Sequence, residues 1–310
     1  MARGLSTHVV AGVAAATLGL GGCAIADGDG ASHETDAAVS VVASTTILGS
    51  VAGQVVECGG GQVHTLMPVG ADPHDYSPSS ADVAAMVKAS LVVVNGLGLE
   101  EGLTSALDTA GEDGAVVYAV GPDLDPQPRE GASDSLDPHI WMDVARMAKA
   151  ASLIGDQLAA ATGDDAYATC GLTVSDSLME TDTEVRSILD AVPESRRVLV
   201  TDHQAFGYFG SAYGFTSAGV VIPGGSTLAE PNSADLAALA DTVRTEGVTA
   251  IFANTANPTA LVDALAQEAG TQVSVVELYV GSLGAAGSGA DTYQSMMLTD
   301  ARRIADALAG

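Results

Sequence analysis

The sequence predicts an α/β protein made of two similar lobes with mainly parallel sheets, joined by a long helix. Three observations carry this. From residue 39, β-branched runs alternate with helix-patterned segments: VSVVAST (39–45), ILGSVAGQVVE (47–57), VHTLMPV (63–69), SSADVAAMVKA (79–89) and LVVVNG (91–96). Strands alternating with helices imply parallel pairing. The alternation then restarts as RRVLVTD (196–202), HQAFGYFGSAYG (203–214), AGVVIPG (218–224), NSADLAALADTVRTEG (232–247) and VTAIFAN (248–254). Finally, the helix openings SSADVAAM (79–86) and NSADLAAL (232–239) share five of eight residues. Each follows a Pro-x-Gly turn and precedes a strand ending in Asn, Asn95 or Asn254, as expected of a tandem repeat.

The elements follow in order from the N-terminus. Arg3 precedes an apolar, small-residue run, VVAGVAAATLGLGG (9–22), which is too short to span a bilayer and fits a secretory signal over residues 1–22. Leu20-Gly21-Gly22-Cys23 resembles a lipobox, which makes Cys23 the expected lipidation site and mature N-terminus. The Gly/Ala/Asp-rich residues 23–38 then suit a flexible tether. The first lobe is expected over residues 39–141 and the second over 193–310. Between them, residues 142–192 have no proline and carry glycine only at 155, 163 and 171, a composition that favours helices, one of which serves as a strut. GPDLDPQPREGASDSLDP (121–138) reads as an exposed loop. An exported chain permits a disulfide between Cys58 and Cys170; two free thiols are the alternative.

Composition narrows the function. With 310 residues, 47% of them apolar, the chain can bury a large core. Its 39 acidic against 11 basic residues give a net charge of −28, which repels phosphate backbones and excludes nucleic acid as a partner. The GxGxxxG at 96–102 is not the dinucleotide fingerprint, and there is no P-loop, GxSxG elbow or HExxH pair.

Histidine placement is the remaining signal. His33 lies in the tether, and His64 lies inside a strand, where a half-buried structural role is expected. His74, His139 and His203 each follow a strand or loop and precede a helix. In open α/β sheets ligands collect outside the carboxyl ends of the strands, and imidazoles converging there suit a borderline-soft divalent cation, zinc above all. Spacing alone goes no further than a candidate metal site.

Resemblance extends the reading. PVGADPHDYSPSSADVAAMVKASLVVVNGLGLE (68–100), DPHIWMDV (137–144), VTDHQAFGYFGSAYGF (200–215), STLAEPNSADL (226–236) and GADTYQSMM (289–297) resemble, in order, landmarks of the metal-binding lipoproteins of zinc/manganese ABC transporters, the ZnuA/PsaA-like solute-binding proteins. The resemblance implies a metal cleft between the lobes with His74, His139 and His203 as ligands. His203 in place of the carboxylate common in manganese members favours Zn2+, with Mn2+ as the second choice. The resemblance also puts Gly281 at the usual fourth-ligand position, where it offers no side chain. Water, a backbone carbonyl or a carboxylate then completes the set. Glu230 is the favoured carboxylate; Glu277 and Asp291 are the others considered, and Asp202 is expected to orient a ligand. Trp141 and Tyr76 are expected in the cleft walls.

The implied function is an exported, lipid-anchored receptor on the outer face of the cytoplasmic membrane, monomeric and not an enzyme. It would pass zinc to a permease driven by an ATPase. A zinc hydrolase with an open water position and a surface adhesin are the alternatives.

Overall fold

The computed structural model describes residues 39–270 and 273–309, so the signal, the tether and Cys23 lie outside the described residues. In the first lobe, β1 (Ser40–Ala43), α1 (Thr46–Cys58), β2 (Gln62–Thr65), α2 (Ser80–Lys88), β3 (Leu91–Val94), α3 (Thr104–Glu112) and β4 (Val117–Ala119) alternate strictly. The strands pair in parallel in the order β2-β1-β3-β4. All four residues of β3 are buried, as expected for a strand covered on both faces.

The segment 121–138 is not the plain exposed loop expected, because it contains an antiparallel hairpin of β5 (Pro128–Arg129) and β6 (Ala132–Leu136). Its turn is Glu130-Gly131, with Gly131 at φ 75°, a value glycine adopts without penalty. The helical stretch resolves into two helices, α4 (Val144–Thr162) and α5 (Ala166–Leu189). They are separated at Gly163, whose left-handed φ of 75° caps α4. The 24-residue α5 carries the chain to the second sheet.

The second lobe contains β7 (Val198–Thr201), α6 (Gly207–Tyr213), β8 (Thr216–Val220), α7 (Ser233–Glu246), β9 (Ala250–Asn254), α8 (Ala260–Ala269) and β10 (Ser274–Leu278); α9 (Tyr293–Ala309) closes the chain. Its sheet order is β10-β9-β7-β8, all parallel. Counted within its own lobe, each sheet therefore runs second, first, third, fourth. The duplicated phrase falls on equivalent helices: Ser79 caps α2 through a reciprocal capping box with Asp82, and Asn232 caps α7 by accepting from Ala234 and Asp235 N–H. Two local expectations shift. The helix expected from His203 begins only at Gly207, and His64 is exposed, because its side chain points off the open face of edge strand β2.

The core links the lobes. Val41, Ile47 and Val93 from the first share one buried cluster with Ile154, Leu178, Phe209, Phe252, Tyr293 and Met296, so α4, α5 and α9 pack into both lobes. Smaller clusters fill the outer layers, around Met86 and Leu103 in the first lobe and around Val243 and Leu265 in the second. Cys58 and Cys170 form a disulfide with Cα atoms 5.9 Å apart, tying the end of α1 to α5.

Candidate metal centre

Backbone turns set each imidazole. Asp72 and Asp137 begin the two Asp-Pro-His segments, and each accepts the backbone N–H of its histidine at 3.0 Å, which folds both segments into the same tight turn. After His139, a single 3-10 turn (Ile140–Met142) leads to Asp143, which caps α4. His203 follows β7, and its carbonyl accepts the Thr201 hydroxyl at 2.8 Å, bending the chain before α6. His74 lies in the loop after β2, His139 after the β5–β6 hairpin and His203 directly after β7.

They converge. His139 Nε2 lies 3.3 Å from His74 Nε2 and 3.3 Å from His203 Nε2. Two nitrogens about 2.1 Å from one zinc ion at a tetrahedral angle are separated by about 3.4 Å, so these spacings are those of shared ligands. The rings are 4%, 1% and 2% exposed for His74, His139 and His203, so water does not compete freely for their lone pairs.

Aspartates aim two of the rings. His139 Nδ1 donates to Asp137 Oδ1 at 2.7 Å, and His203 Nδ1 donates to Asp202 Oδ1 at 3.0 Å. With the proton held on Nδ1, both Nε2 atoms present lone pairs to the same point, an arrangement a cation relieves. Burial, reinforced by the neighbouring imidazoles, lowers the His74 pKa to about 3. Burial also lowers that of His139, against the pull of Asp137. Burial thus favours the neutral, metal-competent imidazole at His74 and His139.

Surrounding residues brace this arrangement. The Trp141 ring meets His139 edge-on at 5.3 Å, and its Nε1–H donates to Val280 O at 2.8 Å. Tyr76, half-buried, donates from its hydroxyl to Leu66 O at 3.0 Å. Gly207 at the start of α6 lets Asp137 approach, since a Cβ there would sit 2.6 Å from Asp137 Oδ2.

The carboxylates expected as a fourth donor are elsewhere. Among the described residues, the group able to hold a metal is His74, His139 and His203, with no carboxylate in it. Glu230 is exposed in the loop after β8, and Glu277 is exposed on β10. The Asp291 carboxylate accepts the Gly287 N–H at 3.1 Å, out on the surface. Gly281 is buried at the expected place, and a Cβ on it would sit 3.1 Å from Pro73 Cδ. The room that a ligand side chain would use there is taken by the proline beside His74.

Sequence reasoning named Asp202 but passed over Asp137 and Asp72. The signal was available, because Asp-Pro-His occurs twice and its aspartate can serve the histidine two residues on.

This fold recurs in known proteins. The profile of the ZnuA family, zinc-uptake complex component A periplasmic, matches residues 41–307. The chain belongs to the ZnuA family. A manganese-binding lipoprotein MntA of Halalkalibacterium halodurans is 31% identical over 271 residues, covering 87% of this chain and 88% of the relative. The zinc-binding protein TroA of Treponema pallidum is 31% identical over 273 residues, covering 85% and 88%. An iron ABC transporter substrate-binding lipoprotein MtsA of Streptococcus pyogenes is 26% identical, covering 87% and 89%. Among solved structures, the periplasmic zinc-binding protein TroA of Treponema pallidum superposes with a TM-score of 0.81 at 28% identity, covering 88% of this chain and 100% of that one. ZnuA family membership makes the chain a periplasmic metal-binding receptor of an ABC metal importer. Its relatives' names divide over manganese, zinc and iron.

Proposed function

We propose that this chain captures Zn2+, in preference to Mn2+, with His74, His139 and His203, and hands it to the permease of an ATPase-driven importer. The observation that carries the reading is the convergence of three Nε2 atoms at 3.3 Å spacings in a group without a carboxylate. Nitrogen-only donor sets suit zinc, whereas manganese favours carboxylate and water oxygens. Glu230, exposed, is not needed in this scheme, and Gly281 contributes no side chain to it. The relatives' names, which describe binding and transport, support a receptor rather than an enzyme.

The delivery scheme includes the segments outside the described residues: a signal over 1–22, acylation of Cys23, and a tether over 23–38 that holds a monomeric receptor at the outer face of the membrane. The lobes over 39–141 and 193–310 then close on the ion around the helices of 142–192.

Zinc titration tests this. The single tryptophan, Trp141, stands against His139 and reports the site by its fluorescence. One zinc per chain is expected, with manganese a weak competitor. His139→Ala removes a ligand outright and so costs more than the about 10–100-fold lost when an orienting partner is mutated. Equal zinc affinity of that variant and the wild type would take His139 out of the site, and tighter manganese binding would reverse the metal assignment.

A further inference from the structure

The two Asp-Pro-His segments use their aspartates differently. Asp137 binds its own histidine twice, through the backbone N–H and through ring Nδ1. Asp72 caps the His74 backbone through Oδ1, but its Oδ2 turns to the second lobe, where the Thr227 hydroxyl donates to it at 2.5 Å. Asn257, in the turn after β9, reaches the same oxygen. With its amide turned so that both ends are satisfied, its nitrogen donates to Asp72 Oδ2 at 3.0 Å and its oxygen accepts from Asn254 Nδ2 at 3.3 Å. Between these contacts, the Pro73 ring lies in the space left free by Gly281.

The segment 72–74 is therefore clasped from three points of the second lobe. The His74 ring lacks the anchor its partners have: its Nδ1 is buried without a hydrogen-bond partner, whereas His139 and His203 are held by aspartates on their own segments. What fixes His74 against the other two imidazoles is the clasp on its turn.

We propose that Asp72 and Thr227, with Asn257, form a release latch. Closed, the latch holds His74 at the ion; opened, it frees the turn 72–74, withdraws His74 first and leaves the ion on two nitrogens. The inference rests on the three-histidine reading of the site. Asp72 and Thr227 are positioning residues that act through His74 and touch no metal.

The experiment loads the purified protein with zinc, adds excess EDTA and follows release by Trp141 fluorescence. Thr227→Val keeps the shape and removes the donor. It is expected to release zinc about tenfold faster, the loss of one hydrogen bond to a charged acceptor, with the association rate unchanged. Thr227→Ser keeps the hydroxyl and is expected to release zinc at the wild-type rate. Wild-type release by Thr227→Val overturns the latch. So does equally fast release by Thr227→Ser, because loop packing rather than the hydrogen bond would then set the rate. If His139→Ala binds zinc as the wild type does, the site itself fails and the latch with it, an outcome distinct from either of these.

Discussion

His74 shows what burial does to an imidazole placed where a metal could bind. Its imidazole is 4% exposed and its pKa is lowered to about 3. The unfolded chain binds a proton there below about 6.5, while the folded chain refuses it, so the wild type loses stability as pH falls from about 6.5 towards 3. Buried acids run the other way: burial raises the pKa of Glu100 and Asp300, and that contribution is lost as pH rises. Comparison with His74→Gln isolates the imidazole. Without metal, the wild type is expected to lose up to about 1.4 kcal/mol per pH unit relative to that variant across this interval. Denaturant melts at several pH values measure it, and a pH-independent difference would mean that the ring is solvated.

The helical hairpin makes a prediction against helix propensity. Gly155 in α4 and Gly171 in α5 face each other, and a Cβ on Gly155 would lie 2.6 Å from Tyr167 O and 2.8 Å from Gly171 Cα. An interior Gly→Ala change normally gains about 1 kcal/mol of helix stability. Here the clash is with backbone, so the helices must separate, and overpacking costs typically 1–3 kcal/mol. Gly155→Ala is therefore expected to lower the melting temperature; a rise would show that the contact yields. The same helices mark the limit of reading from sequence. Proline-free composition points to helices over 142–192, but not to a break at Gly163 or to the chain doubling back on itself. The hairpin at 128–136 was hidden for a different reason: its first strand has two residues, one of them proline, too short for any periodicity. Strand β4, with three residues, was passed over for the same cause.

The main buried cluster spans both lobes through α4, α5 and α9, so motion of the lobes is restrained by a common spine. The Cys58–Cys170 disulfide fastens α1 of the first lobe to that spine across 112 residues of sequence. In the chain-entropy view, closing so long a loop stabilises by about 2–4 kcal/mol. The Cys58→Ser/Cys170→Ser double variant is expected to melt earlier than the oxidised wild type and to match the reduced wild type. Equal melting of the variant and the oxidised protein would show that the bridge contributes nothing to stability.

Several features of this protein were written in local order: the strand–helix alternation, its restart from residue 196, the capped helices at Ser79 and Asn232, and three histidines that each follow a strand or loop and precede a helix. Each depends on neighbours a few residues away, which a linear reading can weigh. Tertiary structure alone decided the rest. It brought Nε2 atoms separated by 64 and 65 residues to 3.3 Å, left Glu230 in solvent, filled the space at Gly281 with Pro73, and turned Asp72 towards Thr227, 155 residues on. The physical reason is that coordination and cross-cleft hydrogen bonds depend on distances of a few ångströms between segments whose relative placement is set by packing of the shared core.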